Sequence, residues 1–329
     1  MASSRKPIEL KVALGNLPHV AALKNGDLGI DGVQFNFVDV HPMIAAFRRM
    51  VRYVEFDLCE IAPTTYVIAR AFGAPFIALP IFLTRRFHHG GLLCREDAGI
   101  ETPKDLEGKK VGVRAYSVTT GVWTRGIMIN EYGLDSSRVT WVVDDEEHVP
   151  QLRLPQNVIH VPPGHSLASM MAQGEIQAGF AANAGIGREG PPEAGWETKQ
   201  KSTPLPYRDL FADPASLEAE WFGRTGIYPM HGVVVVKEQL LSDNPWLAGE
   251  LFNAFTESKN RYVDRLRDDT IKTAQDQKYR DLMKVVGADP LPYGFAANLV
   301  SIEALVKYAF QQQLIPRKVR ADELFLDLN

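Results

Sequence analysis

Residues 84–91 read Thr-Arg-Arg-Phe-His-His-Gly-Gly, so Arg85, Arg86, His88 and His89 place four ionisable cations within one octet. The apolar run Phe76-Ile77-Ala78-Leu79-Pro80-Ile81-Phe82-Leu83 leads directly into them. Such a cluster at a strand end is either a solvated basic turn or the wall of an anion pocket. Arginine suits the second use, because its planar fork pairs with a carboxylate through two parallel hydrogen bonds. Arg114, which follows Lys110-Val111-Gly112-Val113, stands in a comparable position. For all three arginines, plain surface exposure is the competing reading. Two expected helix starts provide donors of another kind. Thr64-Thr65 follow Glu60-Ile61-Ala62-Pro63, and Ser117-Val118-Thr119-Thr120 follow Arg114-Ala115-Tyr116. Unpaired backbone N–H groups and the helix dipole favour an anion at such ends. The same hydroxyls also serve as ordinary N-caps, a use compatible with ligand contact.

Proton transfer near neutrality points to histidine. The chain has eight: His19, His41, His88, His89, His148, His160, His165 and His231. His88 and His89 are adjacent, so on a strand they point to opposite faces, and only His88 shares the side of Arg86. His160-Val161-Pro162-Pro163-Gly164-His165 has a spacing that could ligate a metal, but two prolines and a glycine make it a turn. No HExxH or HxH run is present, and no glycine-rich phosphate loop or GxGxxG follows a strand. Cys59 and Cys94 form no CxxC pair and read as reduced, buried packing residues. A Ser-His-Asp arrangement does not follow from spacing alone.

The elements that must position these groups alternate between strand and helix. Strands are expected at 10–14, 33–38, 55–61, 110–113, 139–143, 176–180 and 231–236, and helices at 63–71, 122–132, 166–173, 244–266 and 295–310. Proline at 63 sits where a helix start tolerates it. Residues 185–206, rich in Gly, Pro, Glu and Lys, read as a surface loop. This rhythm argues for an α/β fold, and 329 residues suit two domains. Apolar residues make up 45% and charged ones 23%, the profile of a globular protein. Thirty-six basic against forty acidic residues, net charge -4, exclude a global field for nucleic acid or an anionic membrane. No segment approaches the ~20 apolar residues of a membrane span. The first residues, MASSRKPIELKVAL, do not read as a signal peptide, so a cytoplasmic location is expected.

The order of elements resembles the type 2 periplasmic binding protein fold. The resemblance implies two lobes, each a mixed sheet flanked by helices, with the ligand cleft between them: 1–95 plus 232–329 as the first, 96–231 as the second. Three runs are similar to the 4,5-dihydroxyphthalate decarboxylase family: DLCEIAPTTYVIARAFGAPFIALPIFLTRRFHHG, DLEGKKVGVRAYSVTTGVWTRGIMINEYG and HGVVVVKEQLL. This similarity spans nearly the whole chain. It implies an enzyme acting on an aromatic diacid, in which each carboxyl-bearing carbon has a hydroxyl para to it. Protonating that carbon gives a cation delocalised onto the hydroxyl oxygen, and loss of carbon dioxide restores the ring. The reaction needs a proton donor and a phenol acceptor, and neither a cofactor nor a metal is expected.

On that reading Arg85, Arg86 and Arg114 hold carboxylates, and Thr64, Tyr116, Ser117 and Thr119 add donors. His88, His19 or His231 protonates the ring. Glu60 accepts from a catechol hydroxyl, against the alternative of a solvated or salt-bridged side chain. The expected partner is a small aromatic dicarboxylate, with no nucleic acid or membrane, and a homo-oligomer is left open. A solute-binding protein for an aromatic acid is the runner-up. Last comes a synthase of a small precursor, which in that fold uses a cysteine-rich stretch or a histidine with a bound vitamin.

Overall fold

The structure, a computed structural model, describes residues 7–187 and 207–328. In chain order the strands among the described residues are β1 (Ile8–Ala13), β2 (Val33–Phe37), β3 (Leu58–Ile61), β4 (Phe76–Ala78), β5 (Thr84–Arg85), β6 (Leu92–Cys94), β7 (Lys110–Gly112), β8 (Thr140–Val143), β9 (Val158–His160), β10 (Ala178–Phe180), β11 (Arg208–Asp209) and β12 (Met230–Lys237). The α-helices are α1 (Ala21–Lys24), α2 (Met43–Tyr53), α3 (Pro63–Ala71), α4 (Thr119–Tyr132), α5 (Leu167–Gln173), α6 (Pro214–Thr225), α7 (Glu238–Asp243), α8 (Leu247–Arg267), α9 (Ala274–Val286), α10 (Leu299–Gln311) and α11 (Ala321–Leu324). Most of the loop expected over 185–206 lies outside the described residues.

The chain divides into two compact units. Unit 1 comprises Met1–Arg86, Gly226–Glu303 and Val319–Asn329; unit 2 comprises Phe87–Thr225 and Ala304–Lys318. Every boundary differs from the sequence-based division, the return to unit 1 falling at Gly226 rather than at 232, and two of the shifts have a visible cause. The first falls inside the basic octet, because β6 pairs with β10 and β11 and draws residues 87–95 into unit 2. The second falls within α10, whose Tyr308 and following Gln312 pack on α4.

Unit 1 holds a sheet in the order β2-β1-β3-β12-β4, with β5 on β12. β1 runs parallel to β2 and β3, whereas β12 is antiparallel to β3, β4 and β5. The run Val233-Val234-Val235-Val236 is wholly buried, as a β-branched central strand covered on both faces requires. Leu247, Leu251 and Phe255 of α8 pack against Leu10, Val12, Leu58 and Val234 to form its core. Unit 2 holds a sheet in the order β11-β6-β10-β7-β8-β9, in which β10, β7, β8 and β9 are mutually parallel. Its core includes Val142, Leu167, Met171 and Ile176. Among the described residues no helix is long and apolar enough to cross a membrane.

One local expectation fails. β5 ends at Arg85, so residues 86–91 do not continue as a strand. His88 and His89 are both buried.

Candidate functional site

In open α/β sheets, ligands gather at the carboxyl ends of the parallel strands. In unit 1, β1 ends next to Gly15 and β3 ends next to the start of α3. β12 runs the opposite way, and its register of Val233 with Ile61 and Val234 with Glu60 sets Gly232 just beyond the end of β3. A Cβ on Gly232 would lie 2.6 Å from Thr84 Oγ1 and 2.8 Å from Glu60 Oε1. The missing side chain is therefore what admits both oxygens to the backbone here. Glu60 Oε2 accepts a hydrogen bond from the Gly15 N–H at 3.0 Å. The carboxyl is buried and, among the described residues, forms no salt bridge. Burial raises its pKa, opposed by the Gly15 N–H and the charge of Lys24.

At the start of β12, Arg86 Nη2 lies 3.1 Å from His231 Nε2. A guanidinium has no lone pair to offer, so Nε2 is the acceptor and the imidazole is neutral with its proton on Nδ1. Arg86 is solvent-accessible, yet the surrounding protein lowers its pKa. Thr64 and Thr65 are buried in the first turn of α3, with Pro63 at its first position. Its N-cap is Ala62, which makes no side-chain cap.

Two other expectations for unit 1 are corrected. Arg85 is buried, and its fork is taken up by Tyr228 O at 2.8 Å, Pro292 O at 3.2 Å and Asn298 Oδ1. Its guanidinium also stacks between Phe82 and Tyr228, and burial lowers its pKa to about 10. It ties segments of unit 1 together and has no fork left for a carboxylate. His19 is fully buried between Tyr262 and Tyr279, and burial lowers its pKa to about 4. At neutral pH it is an uncharged packing residue, unsuited to protonate a ring.

In unit 2 the expected groups gather after β7 and β8. Arg114 Nη1 pairs with Asp145 Oδ2 at 3.0 Å, both residues being buried. The carboxylate that Arg114 holds is thus the chain's own. Glu147 Oε1 accepts from the N–H groups of Tyr116, at 2.7 Å, and Ser117, at 3.3 Å, while its Oε2 accepts from Ser117 Oγ. Thr119 is buried as the first residue of α4, whose N-cap, Val118, makes no side-chain cap. His88 is buried and stacked on Trp123, and its carbonyl accepts from Thr124 Oγ1 at 2.9 Å. His88 and Arg86 fall in different units, which separates the pair drawn from the octet. His89 lies against Phe211 and Trp221, and burial lowers its pKa to about 4.

The structure therefore sets Glu60 against Gly15 and Gly232 and pairs Arg86 with His231 in unit 1, and in unit 2 it pairs Arg114 with Asp145 and seats Tyr116 and Ser117 on Glu147. Sequence reasoning passed over Thr84, Gly232, Asp145, Glu147 and the buried Arg125. The acidic run Asp144-Asp145-Glu146-Glu147 after an expected strand was a usable signal for two of these. Cys59 and Cys94 are buried and unbonded to each other. Among the described residues, no group of three or more His, Cys, Asp or Glu side chains is placed to hold a metal ion.

A sequence profile described as "ABC transporter, phosphonate, periplasmic substrate-binding protein" matches residues 28–203. The alkanesulfonate-binding protein of Xanthomonas axonopodis pv. citri, solved bound to MOPS, shares the fold with a TM-score of 0.55. It is 12% identical, over 98% of this chain and 99% of that one. By fold and profile the chain is of the periplasmic-binding-protein class. Within that class, the 4,5-dihydroxyphthalate decarboxylase of Comamonas testosteroni is 32% identical over 97% of this chain and 96% of its own length. Its counterpart in Pseudomonas putida is 32% identical over 67% of this chain and 85% of its own length. The chain belongs to the 4,5-dihydroxyphthalate decarboxylase family.

Proposed function

We propose that the protein is a carboxy-lyase that converts 4,5-dihydroxyphthalate, or a close analogue, to protocatechuate and carbon dioxide. The observation that carries this reading is the kinship with the Comamonas testosteroni enzyme, which runs over 97% of this chain and 96% of the relative. Residues of unit 1 supply groups suited to the steps. Arg86 is the carboxylate ligand. Once a substrate carboxylate takes its fork, His231 Nε2 is released to bind a proton, and the imidazolium protonates the ring carbon that bears the departing group. The C–C bond to the carboxylate then breaks, its electron pair restores the aromatic ring, and carbon dioxide leaves. Glu60, a buried carboxyl with a raised pKa, accepts from the para hydroxyl and draws charge from its oxygen. Thr64 and Thr84 add hydroxyl donors. We place the reaction in the cytoplasm, which cell fractionation tests.

The decisive experiment incubates metal-stripped protein with 4,5-dihydroxyphthalate and follows carbon dioxide and protocatechuate. Phthalate, which lacks the para hydroxyl, should bind without turnover, because its protonated ring has no oxygen to delocalise onto. A solute-binding role is the second reading, favoured by the profile matched at residues 28–203. Tight binding of the dihydroxy diacid with no carbon dioxide would decide for it.

A further inference from the structure

The donors at Tyr116 and Ser117 already hold a carboxylate, that of Glu147. Their orientation has a cause inside unit 2. Arg125 is fully buried, and its Nη2 donates to Tyr116 O, while its Nε donates to Gln312 Oε1 at 2.8 Å. In a trans peptide the carbonyl and the following N–H point opposite ways. Drawing the Tyr116 carbonyl inward therefore turns the Ser117 N–H outward, onto Glu147. Arg125 stacks on Tyr116 and Trp141, and among the described residues no carboxylate touches it. Its Nη1 is buried without a hydrogen-bond partner among those residues. A buried cation without a contacting counter-ion favours an anion nearby, and Glu147 supplies one.

We propose that Glu147 is an internal stand-in for a substrate carboxylate, seated on Tyr116 and Ser117 in the ligand-free protein and displaced when the substrate binds. This builds on the decarboxylase reading and names the subsite of one carboxylate. The neighbouring pair Arg114–Asp145 is not displaced in the same way. Both of its members are buried, and separating them would strand two charges away from water. Glu147 is only half-buried, so its carboxylate can regain water when it leaves its donors, as the buried Asp145 cannot. It also lies just beyond β8, on the same rim as its donors beyond β7, so the loop that carries it borders the subsite.

Calorimetric binding of phthalate to the full chain, before and after E147A, tests this. Removing the competitor should lower the phthalate Kd, and the KM for 4,5-dihydroxyphthalate, by about tenfold, or ~1.4 kcal/mol. E147Q keeps the shape and loses the charge, and should shift both in the same direction by less. Loss of a mere structural tether would weaken phthalate binding or leave it unchanged, and either result overturns the inference. So does a failure of phthalate to bind wild type and variants alike. Tightened phthalate binding in a protein that releases no carbon dioxide would keep this inference and remove the decarboxylase reading.

Discussion

At the scale of single residues, Gly232 sets how closely Thr84 Oγ1 and Glu60 Oε1 approach the start of β12. An alanine there would put a Cβ 2.6 Å from one oxygen and 2.8 Å from the other, too close for either to remain. G232A should leave the fold intact by circular dichroism and lower kcat about 100-fold, the order of loss that a misplacement near 1 Å produces. Unchanged turnover would remove Glu60 and Thr84 from the chemistry. The sequence named Arg86 and His231 as candidates but not their pairing, because they are 145 positions apart. Arg85 shows the same limit from the other side. It looks like its neighbour in sequence, yet its partners Tyr228, Pro292 and Asn298 lie 143, 207 and 213 residues away. Nothing local separates an arginine that clamps a fold from one that faces a ligand.

At the scale of elements, α4 carries the argument. Every residue from Thr119 to Met128 is buried, so the helix has no polar face for a sequence pattern to reveal. Its end was legible at Tyr132, and its start came three residues earlier than the expected Val122. Gly126 reads in sequence as a weak point, since glycine costs a helix interior ~1 kcal/mol relative to alanine. In the structure it is a contact: a Cβ there would lie 2.0 Å from the Tyr308 ring. G126A should therefore destabilise the protein by roughly 1–3 kcal/mol, against the gain that helix propensity alone predicts. Denaturant unfolding measures this, and pairing G126A with Y308L should recover part of the loss. The strands were easier to read. Val33–Phe37 alternates and Val233–Val236 is continuously apolar, and each pattern matches a strand with one or two covered faces.

At the scale of the whole molecule, each unit buries a neutral histidine, His19 in unit 1 and His89 in unit 2. Desolvation holds both near pKa 4, below the value of 6.5 they would have unfolded. The unfolded chain thus takes up protons between pH 6.5 and 4 that the native chain refuses. The stability these rings contribute is complete above pH 6.5 and is lost as pH falls toward 4. From pH 7 to pH 5 the loss is about 2 kcal/mol for each. Glu55, held near 2 by Arg49 and Lys11, loses its own contribution only below about 4.5, outside this window. The carboxyls of Glu60, Glu147 and Glu218, raised by burial, act with the opposite sign and offset part of the fall. Urea midpoints should accordingly drop between pH 7 and pH 5, and H89F, which keeps an aromatic ring against Phe211 and Trp221, should remove about half of the histidine contribution. The slope with pH is the readout, so a variant that is less stable at every pH still tests it. An unaltered slope in H89F would mean that His89 is charged in the native protein.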